Sequence, residues 1–192
     1  MKGVYFIMIY VFLADGFEET EALTTVDILR RGKLDVQTVA VGTNGKQVTS
    51  SHKITVTADI NEAEIVFENL RGIVLPGGMP GTINLGVSLI VHQCINYCVE
   101  KGYVIGAICA APSVLGEMGI LNGKKATCFP GFENKLEGAE YVNEFAVTDG
   151  LVVTGKGMGA TIPFALQLLE LFKNKETANT VLESLQCPYN YD

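Results

Sequence analysis

Residues 104–115 read VIGAICAAPSVL, and the interpretation of the whole chain turns on this stretch. A run of strand formers stops at Cys109 and a helical pattern begins at once, with Ala107 and Ala111 two residues to either side. Small residues around a nucleophile at an abrupt strand-to-helix turn have the layout of a nucleophile elbow, since only small side chains fit where the backbone crosses so tightly. A thiol at such a turn is expected to be stabilised as thiolate by free amide N–H groups and the helix dipole, with its pKa lowered from about 8.5. The competing reading is a buried, inert cysteine, the usual state of a free thiol.

Outward from this turn, continuous apolar runs alternate with amphipathic ones, the pattern of a parallel sheet covered by helices on both faces. Strands are predicted at Tyr5 to Leu13, Val36 to Val41, Ile54 to Val56, Ile73 to Leu75, Tyr103 to Ile108, Lys125 to Cys128 and Leu151 to Thr154. Helices are predicted at Glu18 to Arg31, Val87 to Glu100, Pro112 to Met118, Ala160 to Phe172 and Glu176 to Ser184. Ala22, Val26 and Leu29 form the buried stripe of the first helix. Asp15 is placed to cap it and Gly32 to end it. With 192 residues, 48% of them apolar, and no repeat or linker, the expectation is a single α/β sandwich domain over 1–192. The first strand's apolar run is about twice the usual length, which leaves two readings, a strand from Tyr5 or an extension over 1–7 ahead of a strand beginning near Met8.

The composition excludes several functions. A net charge of −7 with scattered Lys and Arg argues against nucleic-acid binding, which needs a basic patch. The apolar stretch from Gly3 to Ala14 is shorter than the ~20 residues of a membrane span, and no small-residue cleavage site follows it. Five cysteines in no zinc pattern, with His52 and His92 as the only histidines, point to free thiols in a reducing, cytoplasmic compartment and to no metal. LVVTGKGMGA (151–160) lacks the spacing of a dinucleotide fingerprint, so no cofactor is expected. Cys94 and Cys98, an i, i+4 pair on an apolar helix face, read as core.

Two further segments bear on chemistry. IVLPGGMPG (73–81) takes a strand into a glycine turn at a carboxyl end, where α/β sheets place their crevice. Gly77 and Gly78 there can aim bare N–H groups at an oxyanion, although Pro and Gly pairs are first of all turn signals. ADGFEETEAL (14–23) brings Glu18, Glu19 and Glu21 to the end of the first strand. An acid in an apolar crevice beside a thiolate is held protonated and can shuttle a proton. Helical phase favours Glu18, on the face of Ala22, Val26 and Leu29.

Together GFEETEA (16–22), VLPGG (74–78) and GAICAAP (106–112) resemble the ThiJ/PfpI superfamily, in the branch of the Parkinsonism-associated protein deglycase and bacterial YajL. The likeness continues through DILRRGKLDVQTVAVG (27–42), KATCFPGFE (125–133), TGKGMGATIPFAL (154–166) and the terminal YNYD. The resemblance implies a flavodoxin-like three-layer sandwich that forms homodimers, with Cys109 as the reactive cysteine. It places the conserved glutamate at Glu21, against the phase argument, and we follow the family because a first-turn side chain can reach over the sheet edge. It assigns Gly77, Gly78 and the Ala110 amide to the oxyanion side, with Glu18 and Phe129 lining the site.

Phe129 stands where some members carry a histidine, and Ala110 stands where the protease branch has one, so a PfpI-type protease or amidase is disfavoured. The activity implied is a cofactor-independent glyoxalase III or protein deglycase acting on methylglyoxal, glyoxal or their early adducts, slowed by the missing histidine. The alternative is a redox-sensing chaperone in which Cys109 is oxidised to sulfenate or sulfinate.

Overall fold

The computed structural model describes residues 8–187. The proposed extension at 1–7, the start of the first predicted strand and the terminal YNYD lie outside the described residues. In chain order the elements are β1 (Met8–Ala14), α1 (Glu19–Arg31), β2 (Asp35–Val41), β3 (Gln47–Thr49), β4 (Thr55–Thr57), β5 (Ile60–Asn61) and β6 (Leu70–Leu75). There follow α2 (Gly81–Gly86), α3 (Leu89–Lys101), β7 (Val104–Ile108), α4 (Pro112–Glu117), β8 (Lys125–Ala126) and β9 (Glu140–Tyr141). The chain continues through β10 (Ala146–Asp149), β11 (Val152–Gly155), α5 (Thr161–Phe172) and α6 (Lys175–Ser184).

Seven strands form one sheet in the order β10-β11-β7-β6-β1-β2-β5. All neighbours are parallel except β10, which pairs antiparallel with β11. The unbroken apolar run of β1 follows from this position, because both faces of the strand are covered. Ile9, Val11 and Leu13 pack into the layer holding Val26 and Leu29 of α1 and Phe164 and Leu168 of α5. Tyr10, Phe12 and Ala14 pack into the opposite layer with Val91, Cys94 and Cys98 of α3. The i, i+4 cysteines are therefore core, as their spacing implies.

Two predicted strands take other partners. Thr55–Thr57, close to the predicted 54–56, forms a hairpin with β3 outside the main sheet. Lys125–Ala126 pairs with β9 instead of joining the main sheet, and Asp149 Oδ2 accepts from the Lys125 amide at 3.0 Å. From β1 the chain runs outward through α1 to β2, whereas β6, β7 and β11 build the other half of the sheet. The direction reverses between β1 and β6, and an α/β sheet opens its ligand crevice at the carboxyl ends flanking such a point. No helix among the described residues is long and apolar enough to cross a membrane.

Candidate active site

Cys109 follows β7 directly and has φ of 66°, the left-handed region that a non-glycine residue enters only when its surroundings hold it there. Its amide donates to the Gly155 carbonyl at the end of β11 (2.9 Å), and its carbonyl accepts from the Phe129 amide (2.8 Å). These two bonds pin the residue between neighbouring segments while α4 starts at Pro112. The strained elbow anticipated from VIGAICAAPSVL is thus present in the backbone. Cys109 is partly exposed, whereas Cys94, Cys98 and Cys128 are buried.

Three chain segments converge on the sulfur. A Cβ on Gly77 would lie 2.5 Å from Cys109 Cβ, 3.0 Å from Cys109 Sγ and 2.7 Å from Glu21 Oε2, so only glycine fits there. Glu21 is 1% exposed, and its Oε2 accepts from the Gly77 amide at 2.8 Å. Its other oxygen, Oε1, is buried with no hydrogen-bond partner among the described residues, and the carboxyl lies close enough to the Cys109 sulfur for each to shift the other's ionisation. The Gly78 and Ala110 amides both donate toward the sulfur. Gly78 has φ of 89°, a conformation that glycine adopts without cost.

Several sequence expectations are corrected by this geometry. Glu18, favoured by helical phase, lies outside the helix in an extended conformation (φ −86°, ψ 116°) and caps it. Its Oε2 accepts from the Glu21 amide at 2.6 Å. Phase arguments apply only to residues within the helix; Glu21, in the first turn, leans back toward the amino end and across to β6. Asp15 is not the cap, since its Oδ1 accepts from the Thr49 amide at 2.8 Å. The Gly77 N–H, expected on the oxyanion side, donates to Glu21 Oε2.

The thiol expectation changes most. Burial, followed by the charge of Glu21 and the hydrogen bond to it, pushes the Cys109 thiol up to about 12, with the Gly78 and Ala110 amides pulling the other way. A helix of six residues has too small a dipole to win against this desolvation. Burial also pushes Glu21 up to about 7, aided by the neighbouring Glu18 charge. Two adjacent acids in a poorly solvated site release their protons as a pair. The first proton leaves near neutrality, mainly from the carboxyl, and the second only in strong base, so near pH 7 the carboxylate stands beside a sulfur that keeps its proton.

A grouping that sequence spacing hid lies beside the site. Ligand-type atoms of Glu18, Glu19 and His52 fall within 4.8 Å of one another, although the sequence offered no such cluster. His52 Nδ1 sits 2.8 Å from Glu19 Oε1, brought there by the β3–β4 hairpin, whose Ser51 amide donates to the Phe17 carbonyl. Phe129, 47% exposed, flanks the site, and its ring would meet a Cβ placed on Gly157 at 3.2 Å.

A buried acid beside the sulfur of a strained cysteine elbow, at the switch point of a parallel sheet, defines a flavodoxin-like protein with a nucleophile-elbow thiol. Residues 8–171 match the DJ-1/PfpI family, and the chain belongs to it. Protein dj-1beta of Drosophila melanogaster is 35% identical over 94% of this chain and 97% of its own length. Its crystal structure superposes with a TM-score of 0.89 at 32% identity, covering 95% of this chain and 98% of that one. The glutathione-independent glyoxalase DJR-1.2 of Caenorhabditis elegans is 31% identical over 88% of this chain and 89% of its own length. Protein DJ-1 homolog B of Arabidopsis thaliana is 36% identical over 88% of this chain, which spans 38% of that relative's length.

Proposed function

We propose that the protein is a cofactor-independent glyoxalase III, extending to deglycase action on early adducts of methylglyoxal or glyoxal. The observation carrying this reading is that Cys109, held at φ of 66°, and the buried Glu21 meet at Gly77, where a Cβ would fall within 3.0 Å of atoms of both. A carboxyl poised at about 7 is matched to proton transfer at neutral pH, so Glu21 supplies the base for which the sequence offered no histidine. The glyoxalase named among the relatives supports the same assignment.

In the first step the Cys109 sulfur attacks the aldehyde carbon and its proton passes to Glu21. The carbonyl oxygen becomes an oxyanion facing the Gly78 and Ala110 N–H groups, and takes the proton from Glu21 to complete a hemithioacetal. Glu21 then removes the hydrogen of that carbon as a proton. The C–H electron pair becomes the double bond of an enediolate, the hydroxyl proton of the first carbon passes to the oxygen of its neighbour, and Glu21 returns its proton to that neighbouring carbon. One carbon is oxidised and its neighbour reduced, so the shift is redox-neutral. The resulting thioester is hydrolysed by water, releasing lactate or glycolate and restoring the thiol. An early adduct follows the same route once its amine or thiol has left the aldehyde carbon.

Homodimerisation and a cytoplasmic location, implied by the family resemblance, accompany this reading. Purified protein is expected to consume methylglyoxal without glutathione or added metal and to form lactate, and Cys109→Ser is expected to abolish this. Parent-level turnover by Cys109→Ser would end the proposal.

One observation favours a second reading. Cys109 and Cys187 are partly exposed whereas Cys94, Cys98 and Cys128 are buried, and Cys109 alone of the two sits at the strained elbow, which suits its oxidation by peroxide, each oxygen passing to sulfur as water is released. Mild peroxide should then add two oxygens at Cys109 while sparing Cys94, Cys98, Cys128 and Cys187. Uniform oxidation would refute a sensor role.

A further inference from the structure

Beside the elbow lies a cavity of about 380 Å³ between α2 and α4 that nothing in the proposed reaction occupies. Its walls continue the two backbone segments that aim amides at the sulfur. Met79 follows Gly78, and Ser113 lies one turn beyond Ala110, whose carbonyl accepts the Ser113 hydroxyl at 2.7 Å. A hemithioacetal oxygen between the Gly78 and Ala110 amides therefore sits at the foot of the two helices that face each other across the cavity.

The lining is mostly apolar, with Met79, Ile83, Val87, Val114 and Phe132 beside the polar Thr82 and Ser113, and the buried Thr82 hydroxyl has no hydrogen-bond partner among the described residues. Met79, Ile83 and Val87 are 48%, 53% and 74% exposed, a concentration of solvated apolar surface along one short helix and its flanks. At the rim Lys135 and Glu117 hold each other at 2.9 Å, so neither presents an uncompensated charge. The Ser113 hydroxyl is already satisfied. A cavity of this size, mostly apolar and with its rim charges paired, suits an uncharged and mainly hydrophobic group, whereas the single methyl of methylglyoxal would leave it empty.

We propose that this cavity is a substrate subsite, and that the preferred substrates are 2-oxoaldehydes carrying a bulky apolar substituent, aryl or branched alkyl, on the ketone carbon. The inference rests on the glyoxalase reading, and its test separates the two. Burying a phenyl group contributes enough to raise specificity by about tenfold or more.

The test compares the kcat/KM ratio of phenylglyoxal to methylglyoxal in the parent and in Ile83→Trp, an exposed position where an indole fills the cavity without disturbing the core. In parallel, the rates at which phenacyl bromide and bromoacetone alkylate Cys109 are read by peptide mass and normalised to a small free thiol. The parent is expected to favour the aryl member of both pairs by about tenfold or more, and Ile83→Trp to remove that preference. Val87→Trp should act in the same direction.

Failure of both aldehydes to turn over, with the alkylation preference present and lost in Ile83→Trp, would remove the glyoxalase and keep the subsite. Turnover of both aldehydes with no aryl preference, or with a preference unaffected by either tryptophan, would overturn the subsite and keep the glyoxalase. Absence of the preference in the alkylation assay overturns it regardless of turnover.

Discussion

Glu21→Gln isolates the energetic cost of keeping an ionisable acid in this crevice. Glutamine is nearly isosteric with protonated glutamic acid, and its carbonyl oxygen can still accept the Gly77 N–H that Glu21 Oε2 accepts at 2.8 Å. The folded-state pKa is raised, from 4.5 to about 7. The native state therefore binds the proton more tightly than the unfolded chain, and the associated stability is present below about 4.5 and lost as pH rises through about 7. At about 1.4 kcal/mol per pH unit, the difference amounts to about 3 kcal/mol. Since Glu21 is 1% exposed, solvent screening takes little from it. In urea unfolding the variant should exceed the parent by about 3 kcal/mol at pH 8 and by under about 1 kcal/mol at pH 5. A gap of the same size at both pH values, or a variant less stable than the parent at pH 8, would refute a buried carboxyl titrating near neutrality.

Other substitutions test the positions around this pair. Gly77→Ala would drive a methyl to 2.5 Å from Cys109 Cβ and 2.7 Å from Glu21 Oε2; we expect a loss of methylglyoxal consumption of about 100-fold or more, the upper range for a misplaced acid–base group. Its unfolding free energy should fall by about 1–3 kcal/mol, as for an overpacked core, and activity near the parent level would show that the contact is not needed. Thr154→Val removes the hydroxyl that accepts the buried Thr127 amide at 2.9 Å. The unsatisfied N–H should cost about 1–3 kcal/mol in urea unfolding, and an unchanged midpoint would mean that the amide finds another acceptor.

The parallel-sheet architecture was legible because its strands are buried on both faces and its long helices carry apolar stripes of ordinary period. β10 (Ala146–Asp149) was missed because it is a short edge strand with an exposed Thr148. α2 was missed because GTINLG, bracketed by glycines, reads as a continuation of the PGG turn, and its helix is fixed by contacts with β1 and α4. At the site the elbow could be read from residue sizes alone. The choice between Glu18 and Glu21 could not, because it depends on which residue caps the helix. Local sequence also misjudged the thiol. It registers the helix that begins after Cys109 but not the burial of the sulfur or the carboxyl brought beside it from a different segment, and burial is the strongest influence. The Glu18, Glu19 and His52 grouping was hidden for the same reason, since β3 and β4 deliver the histidine from more than thirty residues downstream in the chain.

The pH dependence of Cys109 alkylation by iodoacetamide, followed by peptide mass in the parent and in Glu21→Gln, tests most directly whether sulfur and carboxyl ionise as one unit. The parent rate should rise with an inflection near 7, when the pair loses its first proton, and in Glu21→Gln that inflection should disappear and reactivity should begin only in the alkaline range of a buried thiol. An inflection near 7 that survives the substitution, or a parent that shows none, would contradict the coupled ionisation on which the mechanism depends.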